Sequence, residues 1–246
     1  MEVLFSALVG ILAGTMSGFF GVGGGTITVP LLSYFDFNIK AAIGISVVQM
    51  LCGSIFGSFL NYKDGFLDVK KYAPFLYGGV FGGLLGSFIV TLVSDKFLYH
   101  LFLIILVIAT VRVFFSPSES QKPEIYSFWL YLFTGAFTGV MSGMLGVGGA
   151  ILLTPILVGF FNFSIKNAIN VGLFFVIASS FSSLAGSTYF GNTNYSIGLV
   201  VALFSLIGVW GGIMLARKTN AKKHKYLLVG VYILTFSILF GKAMAE

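Results

Sequence analysis

The residues of this chain whose types and spacing could do chemistry are glycines. SGFFGVGGG occupies residues 17–25 and SGMLGVGGA occupies 142–150, and each run is followed by a proline, Pro30 and Pro155. The glycines at 21 and 23–25 permit a sharp reversal and present bare backbone amides. A helix restarting at Thr26, or at Ile151 in the second run, would aim its first N–H groups and the positive end of its dipole at whatever faces the loop. That arrangement binds an anion without any formal charge. Ser17, Thr26, Ser142 and Asn170 would add hydrogen-bond donors, and Gln49, a mid-span amide, is costly to bury unless partnered.

Such loops need a scaffold, and composition says which kind. Of 246 residues 57% are hydrophobic and 9% charged, against roughly 25% charged in an ordinary soluble domain. Stretches such as YAPFLYGGVFGGLLGSFIVTLV (72–93) and FLYHLFLIILVIATVRVFF (97–115) reach the roughly 20 residues that cross a bilayer. The chain is an all-α, polytopic membrane protein, with the lipid bilayer as its first partner. No basic region precedes the first apolar stretch at Val3, so no cleaved signal peptide is expected. One cysteine, Cys52, excludes an internal disulfide.

The scaffold is duplicated. A slide of 125 residues superposes Met16, Ser17, Gly18, Gly21, Val22, Gly23, Gly24 and Pro30 on Met141, Ser142, Gly143, Gly146, Val147, Gly148, Gly149 and Pro155. IKAAI (39–43) then meets IKNAI (165–169), and GVFGG (79–83) meets GVWGG (208–212). The expected organisation is a first membrane repeat over 1–115, a polar cytoplasmic linker over 116–124 and a second repeat over 125–246, forming one body. Each repeat consists of a glycine-interrupted pair of helical pieces (3–20 and 26–37; 127–145 and 150–161) and three spans (41–62, 72–93, 97–115; 167–189, 195–216, 226–242). GGVFGGLLG and GVWGG serve close helix approach.

Loop charge sets the expected topology. If each interrupted pair is a hairpin returning to its starting side, each half crosses three times and the second copy is inverted. Eleven basic residues then collect on one side (Lys63, Lys70, Lys71, Arg112, Lys122, Lys166, Arg217, Lys218, Lys222, Lys223, Lys225) against Lys40, Lys96 and Lys242 on the other. Single broken crossings would divide them six against eight. The positive-inside rule favours hairpins, with the basic side cytoplasmic and both termini outside. Two hairpins entering from opposite faces bring both glycine loops to the midplane, where inverted-repeat transporters hold substrate.

The +6 formal charge belongs to these loops and calls for no nucleic-acid partner. All eight acidic residues fall at predicted ends or in loops, which disfavours a cation pathway. His100 and His224 are placed at span ends as interface residues. No catalytic cluster, metal set, cofactor motif or nucleotide-binding loop is present, so a membrane enzyme and a primary pump are both disfavoured. A carrier for a small anionic substrate is the expectation, an anion channel the alternative; monomer and homodimer are both compatible.

The duplicated SGxxGVGG with its following proline, the run of apolar segments and the basic central region resemble the TauE/SafE family of membrane transporters over the whole chain. The resemblance implies secondary transport of a sulfur-containing anion across the plasma membrane: sulfite, thiosulfate or an organosulfonate such as sulfoacetate. A carrier for a non-sulfur organic anion is the alternative. It also implies substrate contacts at Ser17, Gly21, Gly23, Gly24 and Gly25, and at Ser142, Gly146, Gly148 and Gly149. Ala150 departs from the pattern where the first copy has Gly25, so the two loops need not contribute equally.

Overall fold

The computed structural model describes residues 2–35, 37–115, 123–191 and 193–244. Residues 116–122 of the linker, with Asp36, Glu119 and Glu246, lie outside the described residues. The described chain is helical, five helices to each copy: α1 (Glu2–Phe20), α2 (Gly25–Tyr34), α3 (Ile39–Lys63), α4 (Val69–Leu92), α5 (Asp95–Phe115), then α6 (Phe128–Leu145), α7 (Ala150–Phe160), α8 (Ile165–Tyr189), α9 (Tyr195–Lys218) and α10 (Ala221–Ala243). Seven of them, α3–α6 and α8–α10, are long and apolar enough to cross a membrane. This is a multi-pass membrane protein.

Side-chain caps explain where the long helices begin. Asn38 accepts from the Lys40 amide at 2.8 Å, Asp68 from Lys71 at 3.1 Å, Ser164 from Asn167 at 3.2 Å, Asn194 from Ile197 at 3.2 Å and Asn220 from Lys223 at 2.8 Å. Each satisfies one of the orphan amides of a helix start. The Asn220 cap starts α10 at Ala221, ahead of the 226 expected from hydropathy, and so draws His224 into the helix. α2 and α7 differ: their N-caps are Gly24 and Gly149, with no side-chain hydrogen bond.

Both interrupted pairs are hairpins. The Phe5 ring near the start of α1 lies 4.3 Å from that of Phe35, just past the end of α2. In the second copy the Ile125 amide donates to the Phe161 carbonyl at 3.0 Å, and Tyr131 meets Phe161 edge-on at 5.5 Å. The glycine loops are therefore the far ends of two excursions into the protein.

The copies interlock. α1 packs along α9, and α4 along α6, the pair related to it by the repeat. Glycines permit this: a Cβ at Gly10 would lie 2.5 Å from the Val201 carbonyl, and at Gly14 and Gly18 it would overlap the Ser205 and Val209 carbonyls. On α4, Gly78, Gly82 and Gly86 meet the α6 backbone at Leu132, Ala136 and Val140 in the same way. Contacts this close replace the hydrophobic driving force that is missing between helices in lipid. The register also gives direction. α3 runs with α9, since Val48 meets Gly198 and Gly57 meets Val209 and Ile213, and α4 runs with α8, since Gly79 meets Phe175 and Gly83 meets Ser179 and Ser182. α3 and α8 run against each other, because Gly57 meets Leu173 whereas Met50, earlier on α3, shares Gly148 with Val176, later on α8. Leu8, Leu12, Phe81, Leu85, Phe133 and Ile207 project outward from these bundles, exposed to lipid.

Valine at Gly14 or Gly82 should destabilise the detergent-solubilised protein by about 1–3 kcal/mol, the usual cost of overpacking. Alanine at Gly211 or Gly230, where among the described residues no atom beyond the helix's own backbone lies within 4 Å of the new Cβ, should leave the thermal midpoint unchanged.

Candidate functional site

The two glycine loops meet. A Cβ at Gly25 would overlap the Gly146 carbonyl, and one at Gly23 would lie 3.2 Å from the Val147 carbonyl and 3.5 Å from the Gly148 Cα. The Met50 sulfur fills the joint, 3.2 Å from the Cβ position of Gly23 and 3.1 Å from that of Gly148. Gly21, Gly23, Gly146, Gly148 and Gly149 all have φ between +63° and +78°, a conformation open to glycine and strained for other residues. Residues 17–26 and 142–155 are buried throughout.

Backbone this deep must find partners, and here the carbonyls and amides fare differently. Ser46 Oγ donates to the Gly146 carbonyl at 2.7 Å and Ser179 Oγ to that of Gly148 at 3.2 Å. The Gly24 carbonyl accepts from Ile27 and Thr28, and the Gly149 carbonyl from Leu152 and Leu153. Among the described residues, the amides of Gly24, Gly25 and Thr26, and of Gly149, Ala150 and Ile151, donate to none. At the joint these four carbonyls are bonded, whereas the six amides, and with them the Val147 carbonyl and Gln49 Oε1, have no partner among the described residues.

Ser17, Thr26 and Ser142 are buried with hydroxyls that have no partner among the described residues, and Gln49 is fully buried with neither Oε1 nor Nε2 paired. Gln49 lies directly beneath Gly24: a Cβ there would overlap Oε1 and stand 2.5 Å from Nε2. Asn170 is placed elsewhere. It lines a cleft of about 170 Å³ together with Gly18, Asn61, Lys166, Arg217 and His224. Gly18 ties the cleft to the first glycine motif; the remaining polar residues come from α3, α8, α9 and α10.

Arg217 Nη2 pairs with Asp64 Oδ2 at 2.5 Å and its guanidinium carbon stands 5.5 Å from the centre of the Phe66 ring. His224 is not an interface residue. It is fully buried on the cleft wall, stacked on Phe19 at 4.4 Å. Lys166 is exposed at the same mouth. Deeper along α3, Leu173, Val209 and Ile213 converge on Gly57, the nearest atom of Leu173 being 2.5 Å from its Cβ position. Gln49 lies beyond this apolar constriction, twelve residues or about 18 Å of helix from Asn61.

A family model described as "Sulfite exporter TauE/SafE" matches residues 6–239. The chain belongs to the TauE/SafE family. Its relatives include a probable membrane transporter protein, YunE, of Bacillus subtilis, 22% identical over 93% of this chain and 92% of the relative. Another, MJ0441 of Methanocaldococcus jannaschii, is 27% identical over 90% and 89% of the two chains.

Within this TauE/SafE chain the repeat is not symmetric where it matters. The offset that aligns IKAAI with IKNAI places Phe175 opposite Gln49. A Cβ at Gly149 would lie 2.9 Å from the Phe175 ring, the counterpart of Gly24 on Gln49. Gly24 sits in the right-handed region at φ −65°, Gly149 in the left-handed region at φ +66°. Gly149→Ala should therefore lose roughly 2–4 kcal/mol in an unfolding assay, since left-handed strain adds to overpacking against the Thr138 carbonyl. Gly24→Ala has only the end of a flexible side chain to displace and should stay within about 1 kcal/mol of wild type.

Proposed function

We propose that the protein is a secondary carrier of a small anion, with sulfite, thiosulfate or an organosulfonate as its substrate, working by alternating access about the paired glycine loops. The observation that supports this best is the meeting of two helix starts that carry no side-chain cap. Their free amides and dipole ends converge on one buried point, and no carboxylate lies among residues 17–35, 37–63 or 142–189. An anion there replaces the missing caps. The choice of a sulfur anion rests on the family.

The opposite directions of α3 and α8 support two halves inverted in the membrane, with the basic cleft cytoplasmic. The two seams between the halves are also in different states. Along α4 and α8, Ser182 Oγ donates to the Gly79 carbonyl at 3.3 Å, and a Cβ at Gly186 would overlap Ser87. Along α3 and α9 the cleft opens as far as Leu173 and Ile213. This supports a conformer open to the basic side and shut on the other. Lys166 and Arg217 then gather the anion at the mouth, where Arg217 exchanges Asp64 for the substrate.

Counterflow in proteoliposomes with sulfite, thiosulfate, sulfate, sulfoacetate, taurine and lactate tests the reading. Trans substrate should accelerate uptake of at least one of these anions; flux indifferent to the trans side would mean a channel. Arg217→Gln with Lys166→Gln should raise the half-saturating concentration roughly ten- to hundredfold, the range for losing charge-assisted hydrogen bonds.

A further inference from the structure

Gln49 carries more information than its place beneath Gly24. It is fully buried, and both ends of its amide lack a partner among the described residues, a condition that protein interiors avoid. The amide is wedged into a notch left by two glycines. Its atoms face the missing Cβ of Gly24 at the α2 start, and Nε2 lies 3.3 Å from that of Gly53, with Ser205 Oγ 3.7 Å from the same point. The uncapped start of α2 supplies amides beside it. At the equivalent place Phe175 fills the space against Gly149 with a ring, so an apolar side chain fits this architecture and the amide is not needed for packing.

A primary amide presents one acceptor and one donor group. An oxyanion without hydrogen would accept from Nε2 and from the α2 amides but would set its lone pairs against Oε1. A ligand that satisfies the whole notch must also donate. Resting on the carrier reading above, we infer that the substrate is a small monoanion bearing its own O–H or N–H, such as hydrogensulfite or a hydroxylated or aminated sulfonate. Its charged oxygens lie at the α2 start and its donor on Gln49 Oε1. The site is single, because Phe175 offers neither group.

The test uses the full chain and size-matched pairs: 2-hydroxyethanesulfonate against ethanesulfonate, and glycolate against acetate, each competing with sulfite counterflow. Wild type should take at least one hydroxylated member about tenfold better than its partner, the effect of one well-formed buried hydrogen bond. Gln49→Leu should bring that pair to within about twofold while its ligand-free thermal midpoint holds or rises, since the change removes an unpaired polar group. Equal handling of both pairs by wild type overturns the inference and leaves the carrier standing. So does a preference that survives in Gln49→Leu, or a midpoint that falls, which would mean the amide is paired within the fold. Failure of every anion to exchange in wild type sinks the carrier reading and this inference with it.

Discussion

A chain that leaves helical geometry inside a membrane protein frees peptide groups that need partners, and this protein does so twice at one point. The contact between Gly25 and the Gly146 carbonyl has no room for a Cβ, so the loops can approach only as bare backbone. Other features follow from that contact. The hairpin arms are short, ten residues in α2 and eleven in α7, because they need only reach the joint and return. α3 and α8 must present hydroxyls there, and Ser46 and Ser179 do, each bonded to a loop carbonyl. With those acceptors occupied, the two helix starts contribute amides and positive dipole ends to the joint, and Gln49 Oε1 stands beside them as an acceptor.

Much of this was legible in the sequence. The ten helices, the hairpins and the glycine stripes of close approach follow from hydropathy, from the recurrence of SGxxGVGG and from the small-residue spacing in 78–86. Residues 25, 146 and 148 could be assigned to one joint because the repeat demanded it. The cleft could not be found that way. Asn61, Lys166, Arg217 and His224 sit on four helices, and their adjacency depends on α3 running with α9 and against α8, which no local period encodes. His224 is buried for a local reason: the Asn220 cap extends α10 backward over KKHK, a run that hydropathy alone assigns to a loop. The pairing of Gln49 with Phe175 lay within reach, since the offset joining IKAAI to IKNAI carries straight to it.

The duplication sets the scaffold, and the two copies differ where they meet. Two identical halves would offer two equivalent half-sites and two equivalent gates. Here the seam between α4 and α8 joins glycines to serines, with Ser182 bonded across to the Gly79 carbonyl, while the seam between α3 and α9 joins glycines to Val209 and Ile213. A hydrogen bond is directional and fixes register; dispersion contacts between aliphatic groups are non-directional and individually weak. The apolar seam is therefore the easier one to part, and it is the seam that carries the cleft, the Leu173 constriction and Gln49. With an amide beneath one loop at Gln49 and a ring against its twin at Phe175, the two-fold scaffold is unlike itself at the point where its halves meet.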